Sequence, residues 1–137
     1  MPAGYSGTPL PQKLGFKPGT RYLLVGAPDG YARTLGKLPA DSIACRSRDA
    51  DLDLIQFFTS SAKALTSHFA SLAAKLQPAG ALWISWPKKS SGVATDITET
   101  DVRRVGLAAG LVDVKVCAVD ETWSGLKFVR RLKDRPK

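Results

Sequence analysis

The 137-residue sequence is poor in cysteine and histidine, with two cysteines and one histidine. Disulfide scaffolds carry more cysteines in shorter chains, so Cys45 and Cys117 are expected to be reduced thiols. His68 cannot form a zinc site with two cysteines that lie far from it in the sequence. No serine lies in a nucleophile-elbow motif. These absences argue against a zinc centre and against a Ser-His-Asp hydrolase.

Long hydrophobic runs are also absent. No stretch of about 18 apolar residues occurs, so no membrane-spanning helix is expected. Residues 1–7 have neither the basic start nor the apolar segment of a secretory signal. We therefore expect a cytoplasmic protein, and the sequence leaves its oligomeric state open.

Acidic residues are fewer than basic ones, which gives a net charge of +8. Much of the excess lies in residues 130–137, where five basic residues accompany Asp134. Such a tail attracts phosphate backbones through counterion release, so nucleic-acid binding is one hypothesis. The tail carries no aromatic side chain for stacking on bases, which favours a solvated chain end.

The length fits one domain. Residues 1–20 are rich in Gly, Pro, Ser and Thr and are interpreted as an N-terminal arm, which Leu10, Leu14 and Phe16 would pin down. Residues 21–132 are interpreted as a single α/β domain, and residues 133–137 as a basic tail.

Apolar runs alternate with helical patterns along the chain. One helix is predicted from a stripe that ends at Leu76 and is closed by Gln77–Gly80, and another from Thr98, with Asp101 completing a short capping box. A short helix is predicted at 31–35. Strands are predicted at 22–25, 42–46, 53–58, 81–87, 113–120 and 125–132, the last two joined by a hairpin.

This alternation predicts a mostly parallel sheet between two helical layers. The segment between Arg46 and Asp53 is too short for a helix. Either its flanking strands lie on opposite sides of the first strand, or the chain doubles back directly. The first arrangement predicts the order second, first, third, fourth, sixth, fifth, with an antiparallel sixth strand. It places a switch point, where ligands bind in open α/β sheets, at the ends of the first and third strands.

The segments 14–19 and 22–30 resemble the lead-in and first motif of class I S-adenosylmethionine-dependent methyltransferases, and 80–85 and 123–128 resemble later strands. The resemblance implies a shortened Rossmann-like, methyltransferase-type sheet of about six strands with a C-terminal antiparallel hairpin, and S-adenosylmethionine as cofactor. The chain departs from that pattern at Leu24, which takes the acidic position of the first motif. Pro28 replaces the middle glycine, and Arg46 stands where the family has an acidic residue for the ribose.

A second resemblance covers nearly the whole chain. The strings at 5–15, 26–31, 86–92 and 116–126, namely YSGTPLPQKLG, GAPDGY, WPKKSSG and VCAVDETWSGL, are similar to a bacterial family described only as a domain of unknown function. This resemblance implies a cytoplasmic bacterial protein and supplies no activity.

The turn after the first strand is the candidate cofactor site, with Gly26, Pro28, Asp29 and Gly30. Backbone N–H groups and a helix N-terminus can hold an anion there, although Pro28 removes one donor. The alternative is a plain strand-to-helix turn.

Two later segments are candidate ligand-binding loops at the same edge. In the first, Trp86, Lys88, Lys89 and Ser90 offer charge-assisted donors to phosphate or carboxylate, or else form a solvated loop. The second is the turn 120–125. Its Asp120 and Glu121 would pair with the lysines or face them across a pocket, and Trp123 would be a stacking platform or would cover the core.

No catalytic residue and no metal ligand are assigned. The leading hypothesis is non-catalytic binding of a small anionic or nucleotide-like ligand in the switch-point crevice. The alternatives are a reduced S-adenosylmethionine-dependent methyltransferase and nucleic-acid binding through the basic tail.

Overall fold

The fold is that of a computed structural model, which describes residues 8–135. Six strands form one sheet in the order β2-β1-β3-β4-β6-β5. The strands are β1 Arg21–Val25, β2 Ile43–Ala44, β3 Leu52–Phe58, β4 Leu76–Pro87, β5 Leu111–Ala118 and β6 Trp123–Arg130. The α-helices are α1 Leu10–Leu14, α2 Tyr31–Leu35, α3 Ala62–Ala73 and α4 Glu99–Ala108, and 3₁₀ turns lie at Lys89–Ser91 and Leu132–Asp134.

Strands β2, β1, β3 and β4 are parallel, and β6 runs antiparallel to both β4 and β5. This topology confirms the predicted strand order and the α/β class. The two central strands, β3 and β4, are buried along most of their length, as unbroken apolar runs require when helices cover both faces.

Helices cover the two faces of the sheet in pairs. On one side, which we call the α3/α4 face, Leu65, Phe69 and Val102 pack on the sheet, and Phe69 meets Phe128 edge-to-face at 5.2 Å between ring centroids. On the other side, the α1/α2 face, a second buried cluster includes Leu14 and Tyr31. The protein therefore has the three layers that its sequence predicted.

Residues 10–16 are anchored to the second cluster. Leu10, Leu14 and Phe16 are all buried, as the sequence suggested. The indole N–H of Trp83 donates a 2.8 Å hydrogen bond to the carbonyl of Leu14. A fully buried β4 residue thus fixes the end of α1 against the sheet.

Helix α3 is shorter than the sequence pattern indicated. It ends at Ala73, and Leu76 belongs to β4, where it pairs with Leu52 of β3. The register shifts between Leu52 and Leu54, and a Cβ on Gly80 would lie 2.7 Å from the Leu52 carbonyl oxygen. Leu76 continues the helical period by sequence position, but pairing with β3 also buries it, and that pairing decides its conformation.

Helix α4 begins as predicted. Thr98 caps it and Asp101 completes the capping box. Arg103 joins α4 to β5 through a 2.8 Å ion pair between its Nε and the carboxylate of Asp113. Gly106 leaves no room for a Cβ, because the ring of Phe128 occupies that space.

The final hairpin turns two residues earlier than the sequence indicated. The carboxylate of Asp120 accepts the backbone N–H groups of Thr122 and Trp123, each at 2.8 Å. These bonds close a tight turn, so that β6 already begins at Trp123. None of the helices within residues 8–135 has the length and hydropathy needed to cross a bilayer.

Candidate functional site

The predicted ligand-binding segments meet at one edge of the sheet, which we call the switch-point edge. There the carboxyl ends of β1, β3 and β4 lie beside the start of β6. The N–H of Lys88 donates to the carbonyl of Thr122 at 2.8 Å, which ties the loop after β4 to the hairpin turn. Tertiary structure thus brings these two sequence-distant loops into contact.

The turn after β1 rests against the end of β3. Gly26 has φ of +70°, and a Cβ there would lie 2.7 Å from the Phe58 carbonyl oxygen, so glycine is required. The Pro28 carbonyl accepts the N–H of Tyr31 at 3.1 Å. Asp29 and Gly30 are exposed, and Gly30 precedes a helix of five residues that has no side-chain cap.

Aromatic side chains fill the edge beneath this turn. Tyr31 is 3% exposed and meets Phe58 edge-to-face at 4.7 Å between centroids. Phe58 in turn meets Trp123 edge-to-face at 5.2 Å. The half-buried indole of Trp123 therefore covers the end of the core on the α1/α2 face, which is one of the two roles its sequence position allowed.

A buried chain of hydrogen bonds crosses the sheet under these rings. The Tyr31 hydroxyl donates to Gln56 Oε1 at 2.6 Å, and Gln56 Nε2 donates to the Ser85 hydroxyl at 3.1 Å. Sequence reasoning missed this network. Its signal was the presence of Gln56 and Ser85 within otherwise apolar strands, since a buried polar side chain needs a partner.

Burial raises the pKa of the Tyr31 phenol far above its ordinary value, and the hydrogen bond to Gln56 only partly offsets that effect. The hydroxyl therefore stays protonated through the physiological range and acts as a donor to Gln56. Tyr31 is thus a buried hydrogen-bond donor beneath the turn after β1.

The loop after β4 separates into a buried and an accessible part. Trp86 is 5% exposed and belongs to the core under the α3/α4 face, so its ring is not available to a ligand. Lys88 is half-buried, whereas Lys89 and Ser90 are exposed. The Ser91 hydroxyl bonds to the Lys88 carbonyl at 2.6 Å and shapes the turn.

The acidic residues of the hairpin have different roles. Asp120 is committed to the turn through its two backbone hydrogen bonds, whereas Glu121 is exposed. The ion pairs found within residues 8–135 all involve Arg103 or Arg104. The expected pairing of these carboxylates with Lys88 and Lys89 is therefore not formed there.

Leu24 and Arg46 are the two positions at which the sequence resemblance implied acidic residues. Leu24 is half-buried and packs against the cluster on the α1/α2 face. Arg46 is exposed beyond β2, and its N–H donates to the Asp49 carboxylate at 2.7 Å. Asp49 is thus a carboxylate in the turn that follows β2, which sequence reasoning did not single out.

The remaining titratable candidates form no metal site. No group of three or more potential ligands occurs within residues 8–135. Cys45 and Cys117 are free thiols, and burial raises the pKa of Cys117, an effect that Lys13 and Lys115 partly oppose. His68 is exposed and lies edge-to-face against Phe57 at 5.9 Å.

Part of the basic C-terminal segment is hydrogen-bonded to backbone carbonyls. The guanidinium of Arg130 donates to the carbonyls of Ala73, Leu76 and Gln77, and Arg135 donates to the Arg130 carbonyl. Two of the five basic residues are therefore held at the surface of the domain. Lys137 lies outside the described residues.

Comparisons with known proteins identify the fold. No family model matches the chain, and no curated protein matches it by sequence. A putative type 11 methyltransferase from Sulfolobus solfataricus superposes with a TM-score of 0.64 at 15% identity, covering 93% of each chain. A SAM dependent methyltransferase from Aquifex aeolicus gives 0.61 at 14% identity, covering 85% of each chain.

A third similar structure contains two bound ligands, 1,6-didemethyltoxoflavin and S-adenosylhomocysteine. The 1,6-didemethyltoxoflavin-N1-methyltransferase from Burkholderia thailandensis, with S-adenosylhomocysteine bound, gives a TM-score of 0.56 at 17% identity, covering 88% of this chain and 74% of that one. These similarities establish a methyltransferase-like fold. The resemblance to the bacterial domain of unknown function stays a prediction.

Proposed function

We propose that this chain binds S-adenosylmethionine at the switch-point edge and is a small methyltransferase. The observation that carries the proposal is the strand order, with β6 reversed, in a fold that matches a putative methyltransferase over 93% of both chains. Ligands of open α/β sheets bind where the strand order reverses, which here is the carboxyl end of β1.

The residues of that edge fit such a ligand in part. Gly26 allows the turn after β1 to approach the end of β3, and Gly26–Gly30 is exposed except for the half-buried Pro28. Asp29 offers an exposed carboxylate in this turn, and the half-buried Asp49, in the turn that follows β2, offers another, one oxygen of which already accepts the Arg46 N–H. In this proposal Asp29 and Asp49 provide the acceptors that the methyltransferase pattern would place at the positions of Leu24 and Arg46.

The proposal also implies weak affinity. The strand β2 has two residues, and the chain between β2 and β3 contains no helix, so the wall of an adenine pocket is short. Pockets hold small ligands by burying most of their surface. A cofactor on so open an edge is therefore expected to bind well below the affinity of a full-length methyltransferase.

A second candidate function is non-catalytic binding of a small anion or nucleotide at the same edge. The half-buried Lys88 and the exposed Lys89 favour it, because they bring two positive charges to the loop beside the hairpin. Ammonium groups stabilise phosphate or carboxylate by charge-assisted hydrogen bonds.

Calorimetry on the full chain distinguishes the two functions. S-adenosylmethionine, S-adenosylhomocysteine and AMP are titrated separately at up to millimolar concentration. The variants are Asp29→Asn, with exposed Asp41→Asn as its matched control, and Lys88→Ala with Lys89→Ala, with exposed Lys63→Ala with Lys133→Ala as theirs. Circular dichroism verifies that each variant is folded.

Methyltransferase-type binding predicts heat with both sulfur-containing ligands and weakening by Asp29→Asn but not by Asp41→Asn. Simple anion binding predicts heat with AMP, none with S-adenosylmethionine, and loss in the Lys88 and Lys89 double variant only. If no ligand gives heat or raises the melting temperature, both functions are wrong for this edge.

A further inference from the structure

A cavity lies on the α1/α2 face, at the end of the sheet opposite the switch-point edge. It has a volume of about 400 Å³ and lies between the loop 15–20, the first residues of β3 and β4, and the last residues of β6. Small-ligand pockets have volumes of about 300 to 1,000 Å³. The cavity is therefore large enough for a small metabolite, and it is separate from the proposed methyltransferase site.

Positive charge is concentrated at one side of this cavity. Lys127 of β6 is half-buried and lines it together with Lys17. Lys115 of β5 is directly opposite Lys127 in the strand pairing, so the two side chains share one face. Like charges directly opposite each other on neighbouring strands destabilise a sheet. This arrangement therefore has an unfavourable electrostatic cost when nothing is bound.

Within residues 8–135, no carboxylate forms an ion pair with Lys127. Its ammonium group makes no hydrogen bond and no ion pair with any residue in the range 8–135, where Arg103 and Arg104 form the ion pairs. Burial lowers the pKa of Lys127, and Lys115 and Lys17 lower it further. A half-buried cation without a partner is stabilised most directly by a bound anion.

Gly15 keeps the approach to Lys127 open. A Cβ at this position would lie 3.5 Å from Lys127 Nζ, so a larger side chain would occupy the space next to the ammonium group. Gly15 also ends α1 in a left-handed conformation with φ of +97°. Glycine at position 15 therefore both ends the helix and leaves room beside the ammonium group.

Another part of the cavity wall carries a negative charge, at Asp53. The Asp53 carboxylate accepts the Arg21 N–H at 2.9 Å and Gln77 Nε2 at 3.2 Å. A carboxylate has about four acceptor positions, so two remain for a ligand. Leu54, Ala81 and Val129 line the cavity as well and give it an apolar surface.

We propose that this cavity binds a small phosphate monoester that carries hydroxyl groups, with the phosphate at Lys17 and Lys127 and a hydroxyl at Asp53. Lysine ammonium groups are compact charges that suit a phosphate dianion. The carboxylate of Asp53 repels a second anionic group and accepts hydrogen bonds from hydroxyls. The cavity therefore selects a monoester over a ligand with phosphates at both ends.

Calorimetry on the full chain tests this site with ribose 5-phosphate as the probe and ribose and inorganic phosphate as separate titrants. Ribose 5-phosphate is expected to bind more tightly than inorganic phosphate, and ribose is expected not to bind. Lys127→Met is expected to weaken the binding of ribose 5-phosphate by roughly 10-fold or more, and Lys17→Met is expected to weaken it too. Lys63→Met, an exposed lysine on α3, is the matched control.

Stability supplies a second readout. Without ligand, Lys127→Met should melt at the same temperature as the unaltered chain or above it, because a like-charge pair is removed. If this variant does not fold, the affinity for ribose 5-phosphate is compared between the unaltered chain and Lys17→Met, whose altered position is exposed. Equal affinity in the unaltered chain and the lysine variants overturns the proposal, as does the absence of heat with both phosphate titrants. The Lys88 and Lys89 double variant should keep its affinity for ribose 5-phosphate, which separates this site from the switch-point edge.

Discussion

The Tyr31 hydroxyl lies 2.6 Å from Gln56 Oε1 and joins the short helix α2 to the middle of β3. Both residues are buried, and Gln56 Nε2 in turn donates a hydrogen bond to the hydroxyl of Ser85 in β4. Tyr31 also packs on Phe58, the last residue of β3. The hydrogen bond therefore fixes a ring that lies beneath the switch-point edge. A buried hydrogen bond and apolar packing therefore both hold α2 against β3.

Tyr31→Phe removes this hydrogen bond and leaves Gln56 Oε1 buried without a donor. The expected loss is about 1–3 kcal/mol in the free energy of unfolding, measured by urea denaturation. Tyr22→Phe is the matched control, since the Tyr22 hydroxyl makes no hydrogen bond within the described residues, and its change should stay within about 0.5 kcal/mol. Equal losses in the two variants would contradict the structural role of the bond.

Gly106→Ala tests the contact between α4 and β6. In an exposed helix this change would stabilise by about 1 kcal/mol. Here the new methyl group meets the ring of Phe128, so we expect a destabilisation of about 1–3 kcal/mol. The double variant Gly106→Ala with Phe128→Leu should recover part of that loss. Thr100→Ala, exposed on the same helix, is the control and should not destabilise.

Arg130 and Arg131 provide a matched pair at the C-terminal segment. Arg130 donates to three carbonyls at the end of α3 and the start of β4, whereas Arg131 is exposed. Arg130→Met should therefore lower the free energy of unfolding by about 1–3 kcal/mol, and Arg131→Met should change it little. Equal effects would show that the basic segment is not used by the fold.

The pH dependence of stability tests the contact between Arg103 and Asp113. The Arg103 side chain, by hydrogen bonding, holds the pKa of Asp113 below its ordinary value, and hydrogen bonds from Thr98 and then Arg104 do the same for Asp101. A carboxyl whose folded pKa is lowered stabilises the fold above its unfolded pKa, and this contribution disappears as the pH falls through the folded value.

The melting temperature is therefore expected to decline as the pH falls below about 4, the unfolded value for aspartate. Arg103→Met should reduce the Asp113 part of this decline, while Arg33→Met, on the exposed side of α2, should not. Scanning calorimetry between neutral pH and about pH 3 measures both profiles. An unchanged profile in Arg103→Met would rule out the assigned pair.

Strand order and layer assignment were predictable because they depend on local signals. Apolar runs identified the strands, and Thr98 and Asp101 identified a helix start. The short segment after Arg46 left two arrangements, and the predicted order, with β2 and β3 on opposite sides of β1, is the one the structure has. The end of α3 was not predictable, because Leu76 fits the helical period as well as it fits a strand next to Leu52. Only the pairing with β3 separates those two conformations.

The candidate site, too, was only partly predictable from the sequence. The sequence located the loops at the switch-point edge, because the ends of parallel strands must meet there. It could not say which aromatic rings are buried, since Trp86 and Trp123 both lie near strand ends, and only packing puts Trp86 in the core. The commitment of Asp120 to the turn likewise depends on backbone geometry.

The sequence by itself determined the α/β class, the antiparallel closing strand and the position of the switch-point edge, because each follows from the order and spacing of the predicted elements. Tertiary structure alone decided the Tyr31–Gln56 bond and the convergence of Lys17, Lys115 and Lys127 on one sheet face. Those contacts join residues far apart in the chain. Their charge and hydrogen-bond energies arise only when β3, β5 and β6 have taken their places in the sheet.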